Sequence, residues 1–140
     1  MRPSTLAEAV ERIRAGEPQD DILVEFVDSF SLAPDADARY ATIDQEPART
    51  IDDRLNALVG AMAEYLAKQY RLQRVPHWAS APWRRLDEPW FTTSSSDPAM
   101  REYLAFTSPA EFRSRNIFTE ERPLRRARSH LSLVERVRSA

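Results

Sequence analysis

The side chains that most often carry chemistry are scarce in this chain and poorly spaced for it. Its two histidines, His77 and His130, stand far apart in sequence, and neither belongs to a ligand-spaced pair. A zinc or iron site would have to be completed by carboxylates, and a lone histidine so placed reads as a hydrogen-bonding surface residue. Acidic neighbours occur at Asp20/Asp21, Asp52/Asp53 and Glu120/Glu121. Each pair falls at an expected helix start, where the helix dipole alone accounts for it. General acid–base catalysis needs such groups to converge on one proton, so a cofactor-free enzyme would have to gather several carboxylates and His77 in one pocket. There is no cysteine, hence no thiolate nucleophile and no disulfide framework. Two isolated glycines, Gly16 and Gly60, cannot build a phosphate-cradling loop, and no Gly-x-Ser-x-Gly elbow is present. The expectation is a protein that is not an enzyme and uses no metal or cofactor.

Two other groups of residues point to recognition. All three tryptophans, Trp78, Trp83 and Trp90, fall in one short span with Pro76, Pro82 and Pro89, and Phe91 follows directly. Such a segment is neither regular helix nor central strand, because a residue before proline is pushed out of the α region. It carries so much apolar surface that it must pack on the rest of the protein or on a partner. The core role is favoured, yet tryptophan is also enriched at interface hot spots, and different indoles can serve both. The second group is Arg113, Arg115, Arg122, Arg125, Arg126 and Arg128: six arginines and no lysine in sixteen residues, beside Phe112 and Phe118. A solvated basic face is the usual account of a charge run. A surface for acidic protein or RNA has the same look. The hydroxyl run Thr92, Thr93, Ser94, Ser95 and Ser96 reads as a solvated loop tip, with phosphorylation as a minor alternative.

The elements that must position these residues are helices. Alternating apolar and polar runs are nearly absent, which argues against tight hairpins. Thr5 and Glu8 have the spacing of a capping box, with Leu6, Ala9, Val10 and Ile13 on one face and Gly16 and Pro18 as a stop. A second helix is expected from about 19 to 30, burying Ile22, Leu23, Phe26, Val27 and Phe30. A short third follows Pro34, with Tyr40 and Ile43 inward. The fourth is the natural centre: Thr50 and Asp53 start it, and Leu55, Leu58, Val59, Met62, Leu66 and Tyr70 keep helical spacing. Gly60 inside it costs about 1 kcal/mol relative to alanine, which suggests a close helix–helix crossing. Beyond the aromatic loop, Asp97-Pro98 opens a helix whose apolar side is Met100, Tyr103, Leu104 and Phe106. Ser108-Pro109-Ala110-Glu111 then reads as serine cap, proline at the first position and glutamate at the third, and Asn116 as a left-handed stop. After Ile117-Phe118, a last helix capped by Thr119 carries Leu124, Arg128, Leu131, Val134 and Val137.

The predicted architecture is therefore all-α: a single domain, residues 1–140, of five to seven helices with a long Trp/Pro-rich loop packed on a central helix. It divides by composition into an acidic helical half (1–72), an aromatic and proline loop (73–99) and a basic helical end (100–140). A chain of 140 residues suits one domain. Its net charge of −2 hides an asymmetry, since residues 1–72 hold 8 basic against 14 acidic side chains and residues 100–140 hold 9 against 5. Either the two ends neutralise one another inside the fold or the arginines face outward. Long-range repulsion of phosphate by an acidic protein favours the first. The N-terminal stretch lacks the apolar core of a signal peptide, and nothing approaches a membrane span, so a cytoplasmic location is expected.

Several elements bear a resemblance: Leu58–Leu66 (LVGAMAEYL), Leu86-Asp87-Glu88-Pro89-Trp90-Phe91, Ser108 through Phe118 (S-P-x-x-F-R-x-R-x-I-F), and Leu124-Arg125-Arg126-Ala127. Across roughly the last ninety residues the chain resembles a family of small, uncharacterised helical proteins, mostly actinobacterial. The resemblance implies an antitoxin-like or accessory role near toxin or regulatory genes, with another protein, such as a toxin, as partner. Some members carry an N-terminal helix-turn-helix domain, for which there is no room here before residue 50. It supplies no catalytic residues. The functional expectation is a non-catalytic protein–protein interaction module binding through the Arg113–Arg128 surface and part of the tryptophan loop. The alternative is a nucleic-acid-binding transcriptional regulator using the same arginines.

Overall fold

The computed structural model describes residues 1–124. The expected helix bearing Arg125, Arg126, Arg128, Leu131, Val134 and Val137 lies outside the described residues. The described chain is mostly helical, with six α-helices and one two-residue parallel ladder, as the all-α expectation requires. It forms two compact units, one with Met1–Ala48 as its body and the other Arg49–Pro123.

The first unit packs α1 (Leu6–Arg14), α2 (Gln19–Ser31) and α3 (Ala36–Asp44) on one another. Thr5 caps α1 by accepting the N–H of Glu8 at 3.0 Å. At its far end Gly16 adopts φ +106, which lets the Glu17 N–H reach back to the Arg12 carbonyl. A left-handed residue just past a helix is the usual place for glycine. The stripe Ile22, Leu23, Phe26, Val27 and Phe30 of α2 is buried, as its spacing predicts. Asp35 caps α3 through the Ala38 N–H, Ile43 is fully buried and Tyr40 half-buried.

The second unit is organised around α4 (Asp53–Gln69). Its cap is Asp52, which accepts from the Arg54 and Leu55 N–H groups, and not Thr50. Thr50 instead binds the side chain of Asn56 with both its N–H and its hydroxyl. Ala57, Gly60, Ala61, Ala63 and Ala67 are buried along with Leu55, Val59, Met62 and Leu66, while Tyr70 is exposed. A helix buried on nearly every side needs more than one neighbour, and three serve α4: a 3₁₀ turn at His77–Ser80, a second at Pro82–Arg84, and α6 (Ala110–Arg113). The aromatic loop is thus laid on the central helix as short turns.

Beyond those turns the chain runs extended. The Leu86 N–H donates to the Arg115 carbonyl, and β1 (Trp90–Phe91) pairs in parallel with β2 (Ile117–Phe118). Asn116 makes the expected left-handed turn, φ 64, and its side chain donates to the Leu86 carbonyl at 2.7 Å. Between the strands, Asp97 caps α5 (Pro98–Thr107) through the Ala99 N–H. Ser108 is not the cap of α6, whose start has no side-chain cap. Its hydroxyl faces the carbonyls of Leu104 and Thr119 and accepts the Thr119 N–H at 2.8 Å, so it staples the end of α5 to the exit of β2. Thr119 is therefore taken up by that staple, and residues 120–124 are non-helical, a bend and a turn in place of the first helical turn that its expected capping role implied.

Candidate functional site

Along α4 the polar residues Asn56, Glu64 and Lys68, with Gly60 among them, recur at every fourth position, which puts them on one face of the helix. Two arginines lie against that face. Arg84 is completely buried; it donates to the Asn56 carbonyl at 3.1 Å, and its guanidinium sits 4.7 Å from the centre of the Trp78 ring and 4.0 Å from that of Trp83. A guanidinium over an indole face is drawn by the ring quadrupole, more strongly when desolvated. Arg115 is held by three acceptors, the Glu64 carboxylate at 2.8 Å, the Glu111 carbonyl at 2.6 Å and the Ala79 carbonyl at 2.8 Å.

Gly60 lies between them. A Cβ there would meet the Ala79 carbonyl oxygen, Arg115 Nε and Arg84 Cδ, each at 3.2 Å. The close approach inferred from this glycine is therefore real, but what approaches is a turn and two arginine side chains, not another helix. Lys68 extends the network, pairing with Glu64 at 3.0 Å and with Glu111 at 3.5 Å. Burial pushes the Glu64 carboxyl upward, but hydrogen bonds from Arg115 and Lys68 and their charges outweigh it and hold the group below its ordinary value. The Lys68 ammonium is raised, chiefly by its hydrogen bond to Glu64. Burial raises the Tyr65 hydroxyl, whose ring meets Phe112 edge-on at 5.5 Å.

These contacts redistribute the residues expected to bind a partner. Arg115 is a correction: it is buried and neutralised by a carboxylate from the acidic half, so it is a structural residue and not part of an outward basic surface. Arg113 and Arg122 are exposed, and Arg125, Arg126 and Arg128 lie outside the described residues. Trp78 is buried against Arg84, whereas Trp83 and Trp90 are half-buried with Arg49 and Arg54 over their rings, each at 5.1 Å. Phe91 stacks on Phe118 at 5.0 Å and is covered by Arg101. Every one of these aromatic residues except Phe118 thus carries a guanidinium, and the arginines concerned come from outside the 113–128 segment. Among the described residues no group of three or more His, Asp or Glu could hold a metal, and His77 is exposed. No described helix is long and apolar enough to cross a membrane.

The surface that composition did not single out is α5. Of its apolar residues only Leu104 is buried; Met100 is 40%, Tyr103 52% and Phe106 88% exposed. Spaced by three, these side chains form one stripe on a helix held at its start by Asp97 and at its end by Ser108. No protein-family model matches the chain, no curated protein is similar to it, and no solved structure matches it.

Proposed function

We propose that this is a non-catalytic protein–protein interaction module, an antitoxin-like or accessory regulatory protein, whose docking face is the apolar side of α5. The observation that carries the reading is the stripe Met100, Tyr103 and Phe106, held out on a helix fixed at both ends. Scattered apolar residues at a surface mean little, but three large ones in register on one helix mark an interaction site. Their spacing suits a partner with an apolar groove that accepts a short amphipathic helix. Tyrosine and phenylalanine supply contact area at small entropic cost. The reading as a nucleic-acid regulator draws on the same arginines and loses Arg115, whose charge is already met by Glu64.

Site-specific photocrosslinking in the native cell tests this. A benzophenone side chain replacing Phe106 should give one discrete adduct that is absent when the probe replaces Ile51, a still more exposed residue of the same unit. Adding Tyr103→Asp should abolish the adduct. The reading fails if both positions give the same pattern or none, and also if the adduct has twice the chain's mass, which would mean self-pairing.

A further inference from the structure

We propose that a cleft beside α4 is a binding site for one compact oxyanion, a carboxylate or a phosphate group, gripped by Arg85 with the hydroxyls of Ser80 and Ser114. The cleft has a volume of about 230 Å³ and is lined by Glu64, Ala79, Ser80, Arg85, Ser114 and Arg115. Small-molecule pockets usually run from about 300 to 1,000 Å³, so this one fits a single charged head group and not a whole cofactor.

Its inner wall is set rigidly. The Arg115 guanidinium is fixed by Glu64 and by the carbonyls of Glu111 and Ala79. Both Glu64 oxygens are already engaged, one by Arg115 and the other by Lys68. That carboxylate is committed to the fold and does not call for a cation. The lining then carries Arg85 and Arg115 against Glu64 alone, an excess of positive charge.

Arg85 is the group left over. It follows Arg84, the last residue of the 3₁₀ turn, and is itself on extended backbone, φ −125 and ψ 143. Arg84 is buried and Arg85 exposed. The strand-like bond from the Leu86 N–H to the Arg115 carbonyl fixes its base. Its guanidinium donates to no group among the described residues, nor does the hydroxyl of Ser80. Ser114 makes only a long contact, 3.4 Å, to the Glu111 carbonyl. A planar guanidinium fork matches a carboxylate or phosphate two bonds at a time. The Ser80 hydroxyl can supply a further donor, and so can that of Ser114 by exchanging its long bond to the Glu111 carbonyl.

Amide-resolved NMR titration of the whole chain tests the proposal, with sodium phosphate and sodium acetate as probes and sodium chloride at matched ionic strength as control. Saturable shifts are expected at Ser80, Arg85 and Ser114 with one or both probes and not with chloride. Whichever probe saturates identifies the oxyanion. Arg85→Ala should weaken binding at least tenfold, and Arg85→Lys, which keeps charge but not the fork, by a smaller factor. Ser114→Ala should weaken it about threefold, and Arg113→Ala should leave it unchanged. Because Arg85 is exposed, native tryptophan emission in both Arg85 variants will show that the fold is kept. The proposal is overturned if neither probe saturates, if chloride produces the same shifts, or if Arg85→Ala binds as the parent does. None of these results bears on α5, so the two readings stand or fall separately.

Discussion

Helices α4 and α5 look alike as sequence, each an apolar stripe opened by an aspartate, and they end in opposite situations. Around α4 the protein closes two 3₁₀ turns and α6, and even its polar face is occupied, by Arg84 and Arg115. Around α5 the described residues close almost nothing, and Leu104 is the helix's sole buried residue. The difference lies in the small residues. Ala57, Gly60, Ala61, Ala63 and Ala67 let backbone and long side chains come close to α4, whereas Met100, Tyr103 and Phe106 hold neighbours off. A helix of small residues invites cover from its own chain; one with large residues and no cover presents them outward.

Substitutions should sharpen this contrast, and all three tryptophans lie within Arg49–Pro123, so indole emission during denaturant unfolding reports from that unit. Arg84→Ala should cost most, about 3 to 4 kcal/mol, because it empties a fully buried space between two indoles and leaves the Asn56 carbonyl without this donor. Arg115→Ala should cost about 2 to 3 kcal/mol, near the lower end for breaking a buried pair, since Glu64 keeps Lys68 and some solvent. Glu64 adds a pH signature. Its carboxyl is lowered in the folded state, so its stabilising effect is complete above the ordinary carboxylate value and is lost as pH falls through the lowered one. Acid titration of unfolding free energy should show that loss in the parent and a weaker one in Arg115→Ala. Gly60→Ala gains about 1 kcal/mol of helix propensity but crowds a backbone carbonyl and two pinned arginines, which by overpacking costs about 1 to 3 kcal/mol. A net loss of about 1 kcal/mol is expected, and a gain would mean that this packing yields. Phe106→Ser should change stability by no more than about 0.5 kcal/mol. A larger drop would show that α5 is covered after all and remove the contrast.

The helices were legible because their signals are local. Thr5 and Glu8 started α1, Gly16 stopped it, and the Ile22–Phe30 stripe predicted what α2 buries. Two local readings failed where a distant group offered a better bond. Thr50 has the spacing of a cap but binds Asn56, and Ser108 sits in a capping box but bonds to Thr119. The candidate sites were less legible. Composition singled out arginines by their density in 113–128, yet the arginines that meet tryptophan, Arg49, Arg54 and Arg84, are scattered. A usable signal did exist, in the fourfold recurrence of Asn56, Gly60, Glu64 and Lys68 within an apolar helix. Such a polar face calls for polar partners once the helix is central. Nothing in the sequence distinguishes a covered Met-Tyr-Phe stripe from an uncovered one, since both keep the same period.

The ladder of Trp90 and Phe91 with Ile117 and Phe118 joins two points of the chain that are distant in sequence, and the Ser108 staple repeats the closure a little further out. What lies between is an excursion rooted at one place, with its hydroxyl-rich residues 92–96 leading from β1 to α5. Doubling the length of such a closed segment costs only about 0.6 kcal/mol. Insertions near Ser94 should therefore be absorbed at the root, which gives evolution a part it can lengthen or reshape toward new targets without disturbing the frame that holds it.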